Sequence, residues 1–294
     1  MRLRNATLWI LATTTYMSSA FAFPLRQGDD GFALRPQFNL SNQFLNFNSD
    51  GVDFSGTVAL DNCSGSLVRF KHSKPTDKGI ILTNGHCLQD GFMSAGEVRT
   101  NEEVNRGFKL LSPDGRQNLA TLNSRKLLYA TMTHTDMALY ELSKTYEEIR
   151  ERTGIQPLLI RDDRAPTGTK IAIPSGYWRR GYSCKVDTYV HSLREGDWTF
   201  LNSLRYLQPG CEIIGGTSGS PVIDAETREV IAVNNTMNDE GLECEINNPC
   251  EVSEDGSVSF KKGRGYAQHT YWIYSCLTEE NKIDLDREGC RLPK

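Results

Sequence analysis

Three short segments of this chain hold side chains able to activate a hydroxyl for attack on a carbonyl: His86 in ILTNGHC, Asp136 in HTDMALYEL and Ser218 in IIGGTSGSPVID. A serine hydroxyl is a weak nucleophile until a neighbouring base takes its proton, and an imidazole serves best when a carboxylate fixes its tautomer. Ser218 lies in a glycine-rich turn that can expose its hydroxyl, and the backbone amides of Gly216 and Ser218 can converge on one point. Converging amides stabilise the oxyanion of acyl transfer, where losing one donor costs on the order of 3 kcal/mol. Each segment also has a bland reading. His86 could be a structural neighbour of a disulfide at Cys87, Asp136 a turn acid, and the glycine turn a tight bend or a phosphate loop. The phosphate loop is disfavoured, because no lysine follows and Pro221 opens a strand where such a loop opens a helix. No C-x-x-C pair or clustered Cys/His spacing appears, so no metal is expected, and no organic cofactor is implied.

These residues are far apart and must be carried together by the elements around them. From Phe54 onward, short alternating or apolar runs are broken by turn residues: GTVAL, GSLVRF, KGIILTNG, GFKLLS and DMALYEL, then TKIAIPSG, SCKVDTYVHSL, WTFLNSLRYL, SPVIDA, REVIAVNNT and RGYAQHT. Such runs read as β-strands. Between the two groups, Thr145 and Glu148 form a capping box that opens a short helix, stopped by Gly154. The segment YWIYSCLTEENKI reads as a C-terminal helix over about 271–283. Two strand groups with little helix between them predict an all-β fold of two barrels or sandwiches, about 54–145 and about 165–270. His86 and Asp136 belong to the first group and Ser218 to the second, so the expected site is a cleft between them.

The 294 residues are 38% hydrophobic and 24% charged, with a formal net charge of -4. Arg2 and Arg4, the apolar stretch from Leu8 to Ala12 and the small-x-small run Ala20-Phe21-Ala22 predict a cleaved signal peptide over 1–22. Thr13 to Thr15 interrupt the apolar run well short of the ~20 residues that a membrane span needs. Losing the two arginines makes the mature chain more acidic, which excludes nucleic acid and anionic membrane surfaces as partners. Residues 23–53 form a polar, Asn-rich arm or propeptide. All eight cysteines follow the leader, an even count in a chain bound for an oxidising space, so disulfides in a secreted or periplasmic monomer are expected. Counting leaves the connectivity open, although proximity suggests Cys244 with Cys250 and Cys276 with Cys290.

Taken together, TNGHC, DMALYEL and GGTSGSPV resemble the histidine, aspartate and serine segments of trypsin/chymotrypsin-like serine peptidases. The resemblance implies two six-stranded antiparallel β-barrels, with the active site between them and a C-terminal helix. It also implies His86, Asp136 and Ser218 as a catalytic triad and the amides of Gly216 and Ser218 as the oxyanion hole. NCSGSLV resembles the family strand whose cysteine pairs with the one after the catalytic histidine, implying Cys63 with Cys87 and leaving Cys184 for Cys211. GYAQHTYWIYSC resembles the last strand and the terminal helix. The animal enzymes carry an aspartate just before the serine to bind a newly released amino terminus, and Thr217 stands there instead. In that respect G-T-S-G-S-P looks more like the bacterial, glutamyl-endopeptidase-like branch. That branch reads an acidic side chain with a histidine after the following strand, where this chain has Asn234 and Asn235, so glutamate specificity is not implied.

The expected substrate is a protein or peptide lying along Ala232 to Thr236 by backbone pairing. Its pocket is expected to be walled by Glu212, Ile213, Asn234, Asn235 and Gly265, with Glu212 a candidate reader of basic side chains. The rivals are a catalytically silent homologue acting as a binding module and an esterase of the α/β-hydrolase fold. The esterase would need G-x-S-x-G and the chain order Ser, Asp, His, whereas here Ser220 replaces the last glycine and the order is reversed.

Overall fold

A strand with an apolar face and two unpaired edges is stable only when those edges find partners, and each strand group satisfies this by closing into a ring. The computed structural model describes residues 51–294, so the expected leader and all but the last three residues of the arm lie outside the described residues. The first group comprises β1 (Thr57–Ala59), β2 (Ser64–Arg69), β3 (Lys78–Thr83), β4 (Val98–Glu103), β5 (Gly107–Leu111), β6 (Asn118–Thr131) and β7 (Met137–Thr145). Six of these strands form the ring β1-β5-β6-β7-β3-β2, which a β1–β2 pairing closes, while β4 lies outside it on β6. After α1 (Tyr146–Thr153) and the two-residue β8 (Leu158–Leu159), the second group begins. It comprises β9 (Lys170–Ser175), β10 (Arg180–Glu195), β11 (Trp198–Tyr206), β12 (Pro221–Asp224), β13 (Val230–Met237), β14 (Cys250–Val252), β15 (Val258–Ser259) and β16 (Gly265–His269). Its ring runs β11-β16-β13-β12-β9-β10 and closes through β10–β11. The expected pair of six-stranded antiparallel barrels is therefore the observed fold.

The two barrels share an apolar seam. On β2 and β3, Leu67 and Ile81 point into the first barrel, while Val68, Ile80 and Leu82 pack with Ile223, Val230, Val233 and Trp272 from the second half of the chain. Burial on both faces explains why adjacent positions, Leu67 with Val68 and Ile80 with Ile81 and Leu82, are apolar where a half-exposed strand would alternate. Helix α1 has the expected capping box, with the Thr145 hydroxyl accepting from Glu148 N–H and the Glu148 carboxylate accepting from Thr145 N–H. Gly154 ends it at φ 74°.

The expected C-terminal helix over 271–283 is instead a single short 3₁₀ segment, Tyr271–Cys276. Its apolar residues Trp272, Ile273, Cys276 and Leu277 are all spent on the seam. The chain then turns over 278–282, and Leu277 pairs with Ile283 in an antiparallel bridge. The four disulfides are Cys63–Cys87, Cys184–Cys211, Cys244–Cys250 and Cys276–Cys290. No helix among the described residues is long and apolar enough to cross a membrane. Because Cys276 and Cys290 are separated by 14 residues, replacing both with serine should lower stability by about 3 kcal/mol through the entropy returned to the unfolded chain; a urea transition midpoint that does not move would refute this.

Candidate active site

His86 sits in a 3₁₀ turn, Gly85–Cys87, directly after β3, and its neighbour Cys87 is crosslinked to Cys63. Asp136 is the last residue before β7 and is only 1% exposed. A carboxylate so buried is costly unless donors surround it. Both of its oxygens are met by one residue: His86 N–H donates to Oδ1 at 3.1 Å, and His86 Nδ1 lies 2.6 Å from Oδ2. Since a carboxylate only accepts, Nδ1 carries the proton, leaving Nε2 as the unprotonated nitrogen of the neutral ring. This approach requires glycine at 85, where a Cβ would lie 2.1 Å from the Thr131 carbonyl oxygen. Burial of the ring pulls the His86 pKa down. The charge and hydrogen bond of Asp136, with a smaller contribution from Glu195, outweigh that and leave it above the ordinary imidazole value.

Asn84 ties the three motifs together, a role that nothing in the sequence reading assigned to it. Its Nδ2 donates to the Asp136 carbonyl at 2.8 Å, and its Oδ1 accepts the Gly219 N–H at 2.5 Å. Gly219 in turn lies so close to β2 that a Cβ would sit 2.0 Å from the Ser64 carbonyl oxygen. Ser64 N–H donates to the Ser218 carbonyl at 2.8 Å, so the serine turn is stitched directly to the first barrel. Ser218, His86 and Asp136 line one cleft. The Ser218 hydroxyl donates to the Asn235 carbonyl at 3.1 Å, and no hydrogen bond joins it to His86.

The amides of Gly216 and Ser218 have no hydrogen-bond acceptor among the described residues. Trp178 bears on their direction, and the sequence reading passed over it: its indole N–H donates to the Gly215 carbonyl at 2.8 Å. In a trans peptide the carbonyl and the following N–H point opposite ways, so holding the Gly215 oxygen on one side turns the Gly216 N–H to the other. The only sequence signal was a pair of aromatics, Tyr177 and Trp178, in a glycine-flanked turn.

The expected pocket residues divide. Ile213 and Asn235 line the cleft, joined by Ile214, Gly215, Thr236 and Met237. Asn234 does not line it. Fully buried, it donates from Nδ2 to the Thr217 carbonyl and hydroxyl and accepts from the Tyr206 hydroxyl, so it braces the serine turn from inside. Asn235, next along β13, lies on the cleft side, and the register of β13 against β16 shifts between Asn234 and Thr236. Glu212 is exposed and outside the lining, and Gly265 backs Ile213 without reaching the cleft, leaving room where a Cβ would be 3.0 Å from Ile213 Cδ1. The expected substrate-pairing edge is also shorter. Ala232 and Val233 already pair with β12 on one side and β16 on the other, and Asn234 is bonded to Ser220 and Gly219, so only the stretch from Asn235 onward keeps an unpaired side.

Glu195, at the tip of the β10–β11 hairpin, does line the cleft, together with Asp136 and Asp239. This hairpin leans from the second barrel onto the first, where Phe200 bridges to His134 and the Trp198 indole N–H donates to the Met93 carbonyl. Burial pushes the Glu195 carboxyl up to about 7, against the opposing pull of the Asn247 N–H and Thr236 hydroxyl bonds. Cys63, Cys87 and His86 also lie close together, but the two sulfurs are bonded to each other and offer no thiolate to a metal.

A folded-state pKa above the unfolded value near 4.3 means that the native state holds this proton more tightly, so stability falls as pH rises between those values. Glu195→Gln should therefore raise the melting temperature at pH 8, by an amount worth on the order of 2 kcal/mol, and the advantage should vanish near pH 4. Equal melting shifts at both pH values would contradict the buried, proton-holding environment.

A family model described as a trypsin-like peptidase domain matches residues 63–233. No curated protein matches the chain. Among solved structures, the MamO protease domain from Magnetospirillum magneticum, in its apo form, is 13% identical, with 78% of this chain and 98% of that one covered and a TM-score of 0.46. The active form of the Rv3671c protease from M. tuberculosis is 14% identical, with 96% and 97% covered and a TM-score of 0.45. For the thermostable serine protease AL20 from an extremophilic microorganism the identity is 14%, the coverage 74% and 91%, and the TM-score 0.42. The family match spans most of the first barrel and runs through the serine turn into β13, taking in all three motif segments, and on that ground the chain belongs to the family of trypsin-like peptidase domains.

Proposed function

We propose that the protein is a secreted serine endopeptidase that hydrolyses peptide bonds through an acyl-enzyme intermediate. The observation that carries this reading is the buried Asp136–His86 pair opening on the same cleft as Ser218 and two unpaired amides. Rotation about the Ser218 Cα–Cβ bond turns the hydroxyl from the Asn235 carbonyl toward His86 Nε2, and catalytic hydrogen bonds commonly tighten only once substrate binds. His86 takes the hydroxyl proton as oxygen attacks the scissile carbonyl, and the Gly216 and Ser218 amides hold the oxyanion. The proton passes to the leaving amine. Water then repeats these steps to release the acyl group. Asp136 stays ionised throughout, fixing the imidazole and stabilising its charged form.

In place of an acid that waits for a released amino terminus, Thr217 is held by Asn234, which is held by Tyr206. This internal, uncharged brace supports an active conformation that needs no terminal salt bridge. The G-T-S-G-S-P turn supports kinship with the bacterial branch, and no cleft residue supports glutamate selectivity. Secretion is supported by the leader pattern and the four disulfides, which persist only in an oxidising space.

An organophosphonate probe should label the purified protein, and casein should be cleaved; Ser218→Ala should abolish both, and a folded wild type that resists labelling would defeat the reading. Because the base must be neutral, kcat/KM should rise with pH along a limb whose midpoint lies above 6.5, set by His86. Trp178→Phe removes the N–H that orients the Gly215–Gly216 peptide, so kcat should fall by about tenfold, part of the cost of a lost oxyanion donor. An unchanged kcat would show that the amide needs no such support.

A further inference from the structure

Glu195 keeps only 9% of its surface exposed, yet it lines the cleft beside His86. Its Oε1 accepts from the Thr236 hydroxyl at 3.0 Å and from the Asn247 N–H at 2.8 Å. No donor reaches Oε2 among the described residues. A carboxylate this buried normally has a cation beside it, because burying the charge alone is costly. The titratable groups that face it across the cleft are His86 after β3, Asp136 before β7 and Asp239 after β13, and neither lysine nor arginine lines the cleft. Its chain neighbours Arg194 and Asp197 are exposed.

Part of the wall around this acid is apolar. Phe92 packs edge-on against both His86 and Trp198, and Ile214 and Ile246 complete the lining. Several of these side chains are exposed and have no apolar cover of their own: Phe92, Ile214 and Ile246 are all large hydrophobics on the surface. A cleft that sets apolar side chains beside a buried acid, with no lysine or arginine in its lining, suits a side chain with a methylene stem and a cationic head. The hairpin tip is also fixed in place. Gly196 N–H donates to the Cys244 carbonyl, Cys244 is crosslinked to Cys250, and Cys250 pairs with Arg194 across β10–β14. A rigid support of this kind is what holding a charged group at one depth requires.

We propose that Glu195 is a specificity residue, and that it selects substrates bearing a lysine or arginine at a subsite next to the scissile bond. The proposal rests on the peptidase reading above and goes beyond it by naming the substrate class. It also moves the acidic reader from the exposed Glu212 to a residue of the β10–β11 hairpin. The free ligand that isolates this interaction is n-butylguanidinium, an arginine side chain without a peptide, and n-butylurea is its neutral counterpart.

Binding of both ligands to the Ser218→Ala protein, followed by calorimetry or by chemical-shift titration, needs no catalysis. The guanidinium should bind at least tenfold more tightly than the urea at pH 8. That preference should collapse in the double variant carrying Glu195→Gln, which keeps the acceptor for Thr236 and Asn247 and removes only the charge. Lowering the pH to 6 should weaken guanidinium binding in the presence of Glu195 more than in its absence. A parallel casein digest by wild type should give cleavage sites enriched for a basic residue at one fixed subsite, with the enrichment reduced about tenfold by Glu195→Gln.

Equal affinity for the two ligands in the Ser218→Ala protein overturns the assignment without recourse to any Glu195 variant. So does a guanidinium preference, or a basic enrichment, that survives Glu195→Gln. Failure of the peptidase reading shows itself separately, as absence of phosphonate labelling in wild type, and leaves the ligand comparison to decide whether Glu195 receives a cation.

Discussion

A carboxylate removed from water must be answered by donors, and Asp136 is answered almost entirely by one residue. His86 supplies both its ring and its backbone N–H, so orientation of the imidazole and stability of the buried charge are the same interaction. The requirement propagates outward. The turn carrying His86 can approach only because residue 85 has no side chain, and Asn84 then spans from the Asp136 carbonyl to Gly219 in the other barrel. The geometry of the cleft is thus a by-product of satisfying one charge.

The serine turn is held on a different principle. No charged group braces it; Tyr206, Asn234 and Thr217 form a neutral chain of hydrogen bonds beneath it, and Ser64 and Asn84 clamp it from the first barrel. Above it the β10–β11 hairpin crosses to the neighbouring barrel, so one wall of the cleft comes from an element whose root lies elsewhere in the fold. A neutral brace is insensitive to pH and salt in a way that an ion pair is not. The titratable groups are left on the cleft side, where they can meet a substrate.

Much of this was legible along the chain. Eleven strand-like runs fall on strands of the barrels, and the capping box and Gly154 mark α1 at both ends. The longest strand of the first ring, β6, escaped notice because its inward positions include Ala120 and Ser124, which dilute the apolar alternation. The C-terminal segment misled in the opposite direction: its helical periodicity is real over Tyr271–Cys276, after which a disulfide and a bridge outside the helix claim the chain. Asn234 and Asn235 are adjacent letters with unrelated tasks, because successive strand residues face opposite ways and one side meets the serine turn while the other meets the cleft.

What the amino-acid order determined was local: which segments extend, where helix α1 begins, and which segments offer an imidazole, a carboxylate and a hydroxyl. These depend on propensity, capping and side-chain chemistry within a few residues, and they hold wherever the segment is placed. The tertiary structure alone decided that Glu195 and not Glu212 lines the cleft, that Asn235 lines it and Asn234 does not, and which indole meets the Gly215 carbonyl. Those assignments require residues such as Glu195, Thr236 and Asn247, or Trp178 and Gly215, to meet across long stretches of chain. Such meetings follow from ring closure and the lean of one hairpin, and no local pattern encodes them.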